Sequence, residues 1–149
     1  MIEAIVRSAA EHDLPEVLNL YRHLHPHDPQ LEPDTAERVW STLLTSSFMT
    51  VIVAQAGERL VSSCTLAIVP NLSRGGRSYG VIENVVTHAD YRQLGLGRLV
   101  LAHALDAPWQ ADCYKVLLAT GSKRETTLRF YEGAGFHRGG KTYFEVRRP

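Results

Sequence analysis

The chain has 149 residues, which is enough for one domain with its own hydrophobic core, and we expect residues 1–149 to form a single domain. Sixteen basic and sixteen acidic residues cancel, so no net charge draws the chain to nucleic acid or to an anionic membrane. The apolar content of 44% is ordinary for a globular protein, and no apolar run is long enough to span a bilayer.

The first half of the chain predicts a strand, two helices and a β-hairpin. Residues 2–7 have the composition of a strand, and Asp13 before an early proline is typical of a capped helix start. Residues 34–37 repeat a capping pattern and predict the second helix. Two β-rich runs follow, at residues 50–56 and 60–69. Gly57 stands first in the two-residue connection between them, which suits a type II′ hairpin turn.

The second half predicts one parallel crossover. Three elements follow a polar loop: a strand at residues 79–87, a helix at residues 96–107 and a short strand at residues 114–119. Strand, helix and strand in this order form a βαβ unit, and we expect Pro108 to end or distort its helix. A capping box at residues 122–125 predicts the last helix, Gly135 its end, and residues 142–147 a final strand. The whole is an α/β fold with a mixed, mostly antiparallel sheet and helices on both faces.

The sequence RQLGLG at residues 92–97 joins the strand of this unit to its helix. Main-chain N–H groups are free at a helix start, and glycine lets a ligand approach the backbone closely. The turn therefore predicts a phosphate site. Its spacing lacks both the lysine of a Walker loop and the third glycine of a Rossmann fingerprint, so it belongs to neither class.

Two motifs resemble those of one family. The pattern R-x-x-G-x-G resembles the pyrophosphate loop of the GNAT superfamily of N-acetyltransferases, and LRFYEGAGF at residues 128–136 resembles its [FY]-Y-x-x-x-G-F segment. The order of predicted elements is also that of the GNAT fold. The resemblance implies acetyl-CoA as cosubstrate, no metal, and direct transfer of acetyl to a primary amine of a small molecule or peptide.

The same resemblance assigns roles to individual residues. It gives cofactor binding to the end of one strand, to the loop and to one position of the last helix: Val85, Val86, Thr87, Arg92, Gln93, Leu94, Gly95, Leu96, Gly97, Arg98 and Thr127. The amine must lose a proton and the leaving thiolate gains one. Glu83 is the predicted general base, because a carboxylate within an apolar strand is costly unless it is partnered or useful. Tyr131 is the predicted acid, although packing in the core would also explain it.

The acceptor is less defined. IENVV at residues 82–86 and CYK at residues 113–115 look like segments of glucosamine-6-phosphate N-acetyltransferases. Those enzymes have an acidic residue near the end of the strand after CYK, where this chain has Ala119 or Thr120. An amino sugar phosphate, an amino acid, an aminoglycoside, a polyamine and a peptide N-terminus therefore all stay open as acceptors.

Other interpretations and partners also stay open. The alternative hypothesis is a non-catalytic acyl-CoA-binding sensor or interaction module, which would need neither proposed catalytic residue. His23, His25 and His27 have strand-like spacing but lie where a helix ends, which argues against a metal site. The resemblance implies that they line an acceptor pocket, and a solvated loop is the alternative. Two cysteines predict free thiols in a reducing cytoplasm. A homodimer through the final strand or through residues 70–78 is a further hypothesis.

Overall fold

Runs of β-forming residues, buried at consecutive positions in the two central strands, organise the chain around a five-stranded sheet, which a computed structural model describes for residues 2–149. The strands are β1 (Ile5–Ser8), β2 (Met49–Ala56), β3 (Arg59–Val69), β4 (Tyr79–Thr87) and β5 (Val116–Leu118). They lie in chain order, and neighbours are antiparallel except for the parallel pair β4 and β5. The predicted mixed sheet with one parallel crossover is confirmed.

Helices cover both faces of this sheet, as predicted. They are α1 (Leu14–Leu24), α2 (Pro33–Thr45), the short turn α3 (Ser73–Gly76), α4 (Leu96–Ala104), α5 (Asp106–Gln110) and α6 (Glu125–Gly133). On one face, Val17 and Leu20 of α1 and Trp40 of α2 pack in a core with Val53. On the other face, α4 packs against β2, β3 and β4 around Leu101. No helix among residues 2–149 is both long and apolar enough to cross a membrane.

Sequence and structure agree best at the centre of the sheet. β4 has the predicted bounds, and β2 and β3 form the predicted hairpin. Gly57 has a φ of +61° whereas Glu58 has no positive φ, and a type II′ turn requires that combination. Gly135 follows the end of α6 with a φ of +99°, and the Phe136 N–H donates to the Tyr131 carbonyl. That bond is part of a Schellman motif, so the predicted glycine stop is confirmed.

Asp13 precedes α1 as predicted but does not cap it. Its carboxylate accepts hydrogen bonds from Arg7 at 2.7 and 3.0 Å and from the Ala10 N–H at 2.7 Å. The side chain is only 4% exposed. Hydrogen bonds from Arg7 hold the pKa of Asp13 below its ordinary value of 3.8, against the opposing effect of burial. The carboxylate therefore fastens the end of β1 to the start of α1 instead of serving the helix.

Replacing Asp13 with asparagine is expected to destabilise the fold by about 2–3 kcal/mol, because the buried end of Arg7 loses its counter-charge. The pKa of Asp13 is lowered on folding, so its contribution is complete above about pH 4 and is lost as the pH falls through the lowered pKa. Chemical denaturation between pH 2 and 7 measures both effects. The exposed Asp34 provides a matched control, and equal losses in the Asp34→Asn variant would contradict this account.

The other two predicted helix starts are wrong by a few residues. α2 begins at Pro33, one residue before the predicted capping acid, because proline suits the first turn of a helix. α6 begins at Glu125, the end of the predicted capping box. The Glu125 carboxylate pairs with Arg138 at 2.9 Å instead of turning back to the helix start. Ser122 instead donates its hydroxyl to Thr127 at 3.0 Å.

Three later predictions also need correction. The helix predicted at residues 96–107 divides into α4 and α5, and α4 ends at Ala104, four residues before Pro108, where the proline ring displaces the carbonyl. β5 has only three residues. The final strand predicted at residues 142–147 is not formed within residues 2–149, because its alternation meets no neighbouring strand: Phe144 is 86% and Val146 95% exposed. β1 likewise begins at Ile5, not at residue 2.

Candidate active site

A bulge in β4 marks the centre of the candidate site. Ser63 of β3 pairs with Val86, whereas Thr65 pairs with Glu83, so Asn84 and Val85 together oppose one residue of β3. Asn84 has a φ of +53°, a left-handed conformation that asparagine tolerates better than most residues. The bulge reverses the alternation of β4, so that Val85 packs on the α4 side and Val86 on the α1 side.

The parallel strands part at this bulge. β5 pairs with β4 only from Gly80 to Ile82, while β4 continues to Thr87. The residues of β4 beyond Ile82 therefore have no β5 partner in the described chain. A cleft of about 460 Å³ opens beside this unpaired edge. It is lined by β4, the loop before α4 and α6: Val85, Val86, Thr87, Tyr91, Arg92, Gln93, Gly95, Leu96, Gly97, Arg98, Thr126, Thr127, Phe130 and Tyr131.

The loop before α4 has the geometry of an anion site. Gln93 and Gly95 both have positive φ, of 62° and 79°, and Gly95 directly precedes the first helical residue. The first intrahelical hydrogen bond of α4 is donated by Leu99 to the Gly95 carbonyl. The main-chain N–H groups just before Leu99 are thus free for a ligand, at the positive end of the helix dipole. Such an arrangement is typical of sites that bind anions.

Gly97 allows three elements to meet at one point. A Cβ at this position would lie 3.0 Å from the ring of Phe130 on α6 and 3.3 Å from the Thr87 hydroxyl at the end of β4. Gly97 itself is buried. Phe130 is held at the wall of the cleft by this close approach, so the glycine sets the width of the cleft as well as freeing the backbone.

Arg92 bonds to the main chain within the described structure. Its guanidinium donates to the Thr87 carbonyl at 3.2 Å and to the His23 carbonyl at 3.3 Å. His23 belongs to the last turn of α1, where carbonyls lack helical partners. The arginine at the head of the phosphate-type turn therefore joins that turn to α1.

Tyr131 lies between the cleft and the hydrophobic core. It is half-buried, and its ring meets Phe130 at 5.0 Å and Phe136 at 6.4 Å between centroids. Burial raises the pKa of its phenol, and Cys64 and Glu83 raise it further. The hydroxyl therefore keeps its proton at neutral pH, as an acid must, while the ring contributes to packing. The ring contacts agree with the packing interpretation of Tyr131, and the role of acid stays a prediction.

Glu83 is exposed, which corrects one step of the sequence argument. The prediction treated it as a carboxylate inside an apolar strand, but its side chain is open to solvent immediately before the bulge. The cost of burying a charge therefore gives no reason to assign Glu83 a special role. The position of Glu83 gives a better reason, because Glu83 lies where β4 and β5 part and its charge raises the pKa of the Tyr131 phenol.

Polar groups back the bulge on the side of α1. Thr65 is the cross-strand neighbour of Glu83, and its buried Oγ1 has no hydrogen-bond partner among residues 2–149. Burial raises the pKa of the nearby Tyr21 phenol, while the adjacent Thr65 and Asn84 side chains lower it. A small polar surface thus adjoins Glu83 on this side of the sheet.

Two cations lie at the other end of the β4–β5 pair. Lys115 Nζ lies 5.6 Å from the centroid of the Tyr79 ring and 5.3 Å from that of Tyr114. The Arg74 guanidinium lies 5.8 Å from the Tyr114 ring. Neither cation forms a salt bridge within residues 2–149. Side chains alternate along β4, so Tyr79 lies on the same face of the sheet as Glu83. This end of the sheet therefore presents positive charge without a counter-charge.

The structure gathers nearly all the predicted residues at one place. All the predicted cofactor residues line the cleft except Leu94, whose side chain is half exposed, and Tyr131 lines it as well. Glu83 stands beside the cleft. Sequence reasoning missed Asn84, Arg74 and Phe130. An asparagine inside an apolar strand was the available signal for the bulge, whereas the other two are recognised only from three-dimensional contacts.

No group of three or more histidine, cysteine, aspartate or glutamate side chains is arranged to hold a metal among residues 2–149. The His23 and His88 rings lie 4.1 Å apart between centroids and are tilted by 41°, and His23 Nδ1 accepts a hydrogen bond from the Ala89 N–H at 3.3 Å. His25 and His27 lie on the exposed connection between α1 and α2. The three histidines therefore do not converge on one point.

A mixed sheet whose parallel strands part above a glycine turn is the architecture of acyl-CoA N-acyltransferases. Residues 14–136 match the family described as Acetyltransferase (GNAT) family. The glucosamine 6-phosphate N-acetyltransferase of Trypanosoma brucei brucei is 32% identical over 136 residues, covering 91% of this chain and 90% of the relative.

Solved structures give the same result. A protein from Agrobacterium tumefaciens str. C58 has a TM-score of 0.91 at 42% identity, covering 97% of this chain and 99% of that one. An acetyltransferase from Trypanosoma brucei has a TM-score of 0.84 at 30% identity, covering 98% of this chain and 100% of that one. The chain belongs to the GNAT family of N-acetyltransferases, enzymes that use acetyl-CoA.

Proposed function

We propose that this chain, as a single domain, transfers acetyl from acetyl-CoA directly to a primary amine at the bulge of β4. The observation that carries the proposal is the cleft, where an unpaired strand edge, free helix N–H groups and the Tyr131 phenol face one space beside Glu83. When bound, acetyl-CoA supplies an activated acetyl thioester. Cys64 is a poor candidate for an enzyme nucleophile, because burial raises the pKa of its thiol to about 12.

Different residues of the cleft bind different parts of acetyl-CoA. The N–H groups of Leu96, Gly97 and Arg98 hold the pyrophosphate at the start of α4. The main chain of β4 from Val85 to Thr87 pairs with the amide-bearing arm as an added strand would. The backbone N–H of Val85, turned by the bulge, is then the donor for the oxyanion that develops on the acetyl carbonyl.

Two side chains move the protons. Glu83 takes a proton from the incoming ammonium, directly or through a water, because only the free amine has a lone pair. Tyr131 donates its proton to the leaving sulfur, and its raised pKa keeps that proton available at neutral pH. A non-catalytic acyl-CoA-binding module with the same fold would need neither group, so variants of these residues separate the two functions.

Replacing Tyr131 with phenylalanine is expected to lower kcat about 100-fold, the scale of a general acid, while the Kd of acetyl-CoA stays unchanged. The ring and its contacts with Phe130 and Phe136 are preserved, so the free energy of unfolding changes little. Turnover at saturating substrates, with calorimetric binding as the control, checks the expectation. An unchanged kcat would assign Tyr131 to packing alone.

An amino sugar phosphate is the acceptor we propose. The unpaired Arg74 and Lys115 would meet its phosphate on the β4–β5 face, while Glu83 meets its amine further along the same face. The relative from Trypanosoma brucei brucei, named for glucosamine 6-phosphate, favours this class over amino acids, polyamines and peptides. Lysine and arginine are common phosphate ligands, and aromatic contacts hold both side chains in place here.

Thiol release with glucosamine 6-phosphate and with glucosamine tests the acceptor. We expect kcat/KM to be at least about 100-fold higher for the phosphorylated sugar, and most of that preference to disappear in Lys115→Gln. The exposed Lys141 provides the control substitution. Equal kcat/KM for both sugars, or a preference that persists in Lys115→Gln, would contradict the proposed contact between Lys115 and the phosphate.

Assembly and location complete the proposal. The exposed segment at residues 142–147 and the free outer edge of β5 support a homodimer in which the segment of one copy pairs with β5 of the other. Light scattering measures the mass of the protein in solution, and a dimer mass is the expected result. Two free, buried cysteines support a reducing cytoplasmic location.

A further inference from the structure

A junction of α1 with the loop after β4 lies next to the cofactor cleft and has no part in the chemistry described above. Three contacts form it: Arg92 donates to the His23 carbonyl at 3.3 Å, the Ala89 N–H donates to His23 Nδ1 at 3.3 Å, and the tilted His23 and His88 rings are in contact with their centroids 4.1 Å apart. The last turn of α1 therefore contacts the loop after β4 at Ala89 and again at Arg92, the first residue of the RQLGLG turn.

The bond from Ala89 fixes the protonation state of His23. A histidine nitrogen accepts a hydrogen bond only when it carries no proton, so Nδ1 must be bare while the junction is intact. Its protonation breaks the bond and places a new positive charge against Arg92, which already sits at the His23 carbonyl. The loop would then lose one of its two hydrogen bonds to His23.

We propose that His23 is a positioning residue for acetyl-CoA binding, which in its neutral form holds the pyrophosphate turn through Ala89 and releases it when protonated. This inference rests on the proposed use of the loop before α4 for the pyrophosphate. It assigns a role to the first of the three histidines at the end of α1, distinct from metal binding and from contact with the acceptor.

The groups around His23 favour the neutral form. Burial lowers the pKa of His23 below its ordinary value of 6.5, and His88 and Arg92 lower it further, while Asp90 opposes them. A cavity of about 260 Å³ lined by His23 and His88 adds Arg22 and Arg59, and among residues 2–149 Glu16 is the one carboxylate that lines it. Glu16 is already engaged, because it accepts hydrogen bonds from the Leu60 N–H and from Asn19.

The sign of the effect follows from this lowered pKa. The contact is complete above pH 6.5 and is lost as the pH falls through the lower pKa of the folded protein. Loss of one hydrogen bond should weaken acetyl-CoA binding about threefold to tenfold. Charge attraction alone would act in the opposite direction, because a protonated imidazole would draw the anionic cofactor closer. The direction of the pH dependence therefore separates the two effects.

Calorimetric titration of acetyl-CoA into the full chain between pH 5 and 8 tests the proposal, with His23→Asn as the variant. Asparagine offers an accepting oxygen near the position of Nδ1 but does not titrate. We expect the affinity of the unmodified protein to fall in acid and that of His23→Asn to stay level. The exposed His103 provides the matched control, and His103→Asn should keep the unmodified profile.

A second readout needs no variant. In nuclear magnetic resonance spectra of the unmodified protein, the Ala89 amide signal should titrate together with the His23 ring. Three results would overturn the inference and leave the proposed function intact. They are a pH profile of affinity that is the same in His23→Asn, acetyl-CoA binding that tightens in acid, and an Ala89 amide signal that does not change as His23 titrates. Failure of the unmodified protein to bind acetyl-CoA at any pH would overturn both.

Discussion

Replacing Gly97 with alanine is expected to weaken acetyl-CoA binding by tenfold or more. The added Cβ would stand 3.0 Å from Phe130 and 3.3 Å from the Thr87 hydroxyl, so one of these groups must move. Overpacking of this kind typically costs about 1–3 kcal/mol, and 1.4 kcal/mol corresponds to tenfold in affinity. Phe130 yields more easily than the strand, and its displacement, together with the added methyl group, changes the shape of the cleft in which the cofactor is proposed to lie.

A second glycine provides the control for this prediction. Gly133, in the last turn of α6, has no heavy atom within 4 Å of an added Cβ and no positive φ. Gly133→Ala should therefore leave binding unchanged and stabilise the protein by up to about 1 kcal/mol. Calorimetry with acetyl-CoA and denaturation of both variants make the comparison. If Gly97→Ala bound acetyl-CoA as tightly as Gly133→Ala, the cleft would not be the cofactor site.

Replacing Glu83 with glutamine is expected to lower kcat by about 100-fold to 1000-fold, because the amide keeps the shape of the carboxylate but cannot accept the proton of the ammonium. The Kd of acetyl-CoA should not change, since Glu83 does not line the cleft. Glu58, exposed in the hairpin turn, provides a control carboxylate, and Glu58→Gln should behave as the unmodified protein does.

The exposure of Glu83 makes this prediction informative. A solvent-open side chain is replaced with little effect on stability, so a loss of turnover would report chemistry and not unfolding. Denaturation of both glutamate variants checks that condition. A kcat within about threefold of the unmodified value in Glu83→Gln would transfer the role of base to another group, and the polar surface formed by Tyr21, Thr65 and Asn84 would be examined first.

Much of the fold was predictable because its signals are local. The apolar run in β4 and the glycine at position 57 each act within a few residues, and both β4 and the hairpin agree with the structure. The capping patterns failed because their side chains found other partners. Asp13 pairs with Arg7 of the preceding strand, and Glu125 with Arg138 beyond the end of its helix. Neither competitor can be identified from spacing alone.

The site divides in the same way. The RQLGLG turn is a local pattern, and its residues line the cleft, apart from Leu94. The parting of β4 and β5 depends on how far two distant strands pair, which no short segment encodes. The bulge at Asn84 and the contacts of His23 with the loop depend on elements far apart in the chain. Residues 142–147 show the converse, because their strand-like alternation finds no partner within the described chain.

Release of CoA thiol from acetyl-CoA, measured with glucosamine 6-phosphate and with a panel of other primary amines, tests the central claim most directly. Product masses from the same reactions identify what was acetylated. The account predicts saturable turnover with glucosamine 6-phosphate, an N-acetylated product, and a collapse of that turnover in Glu83→Gln. Tight binding of acetyl-CoA without turnover on any amine of the panel would contradict it and would favour the non-catalytic acyl-CoA-binding module.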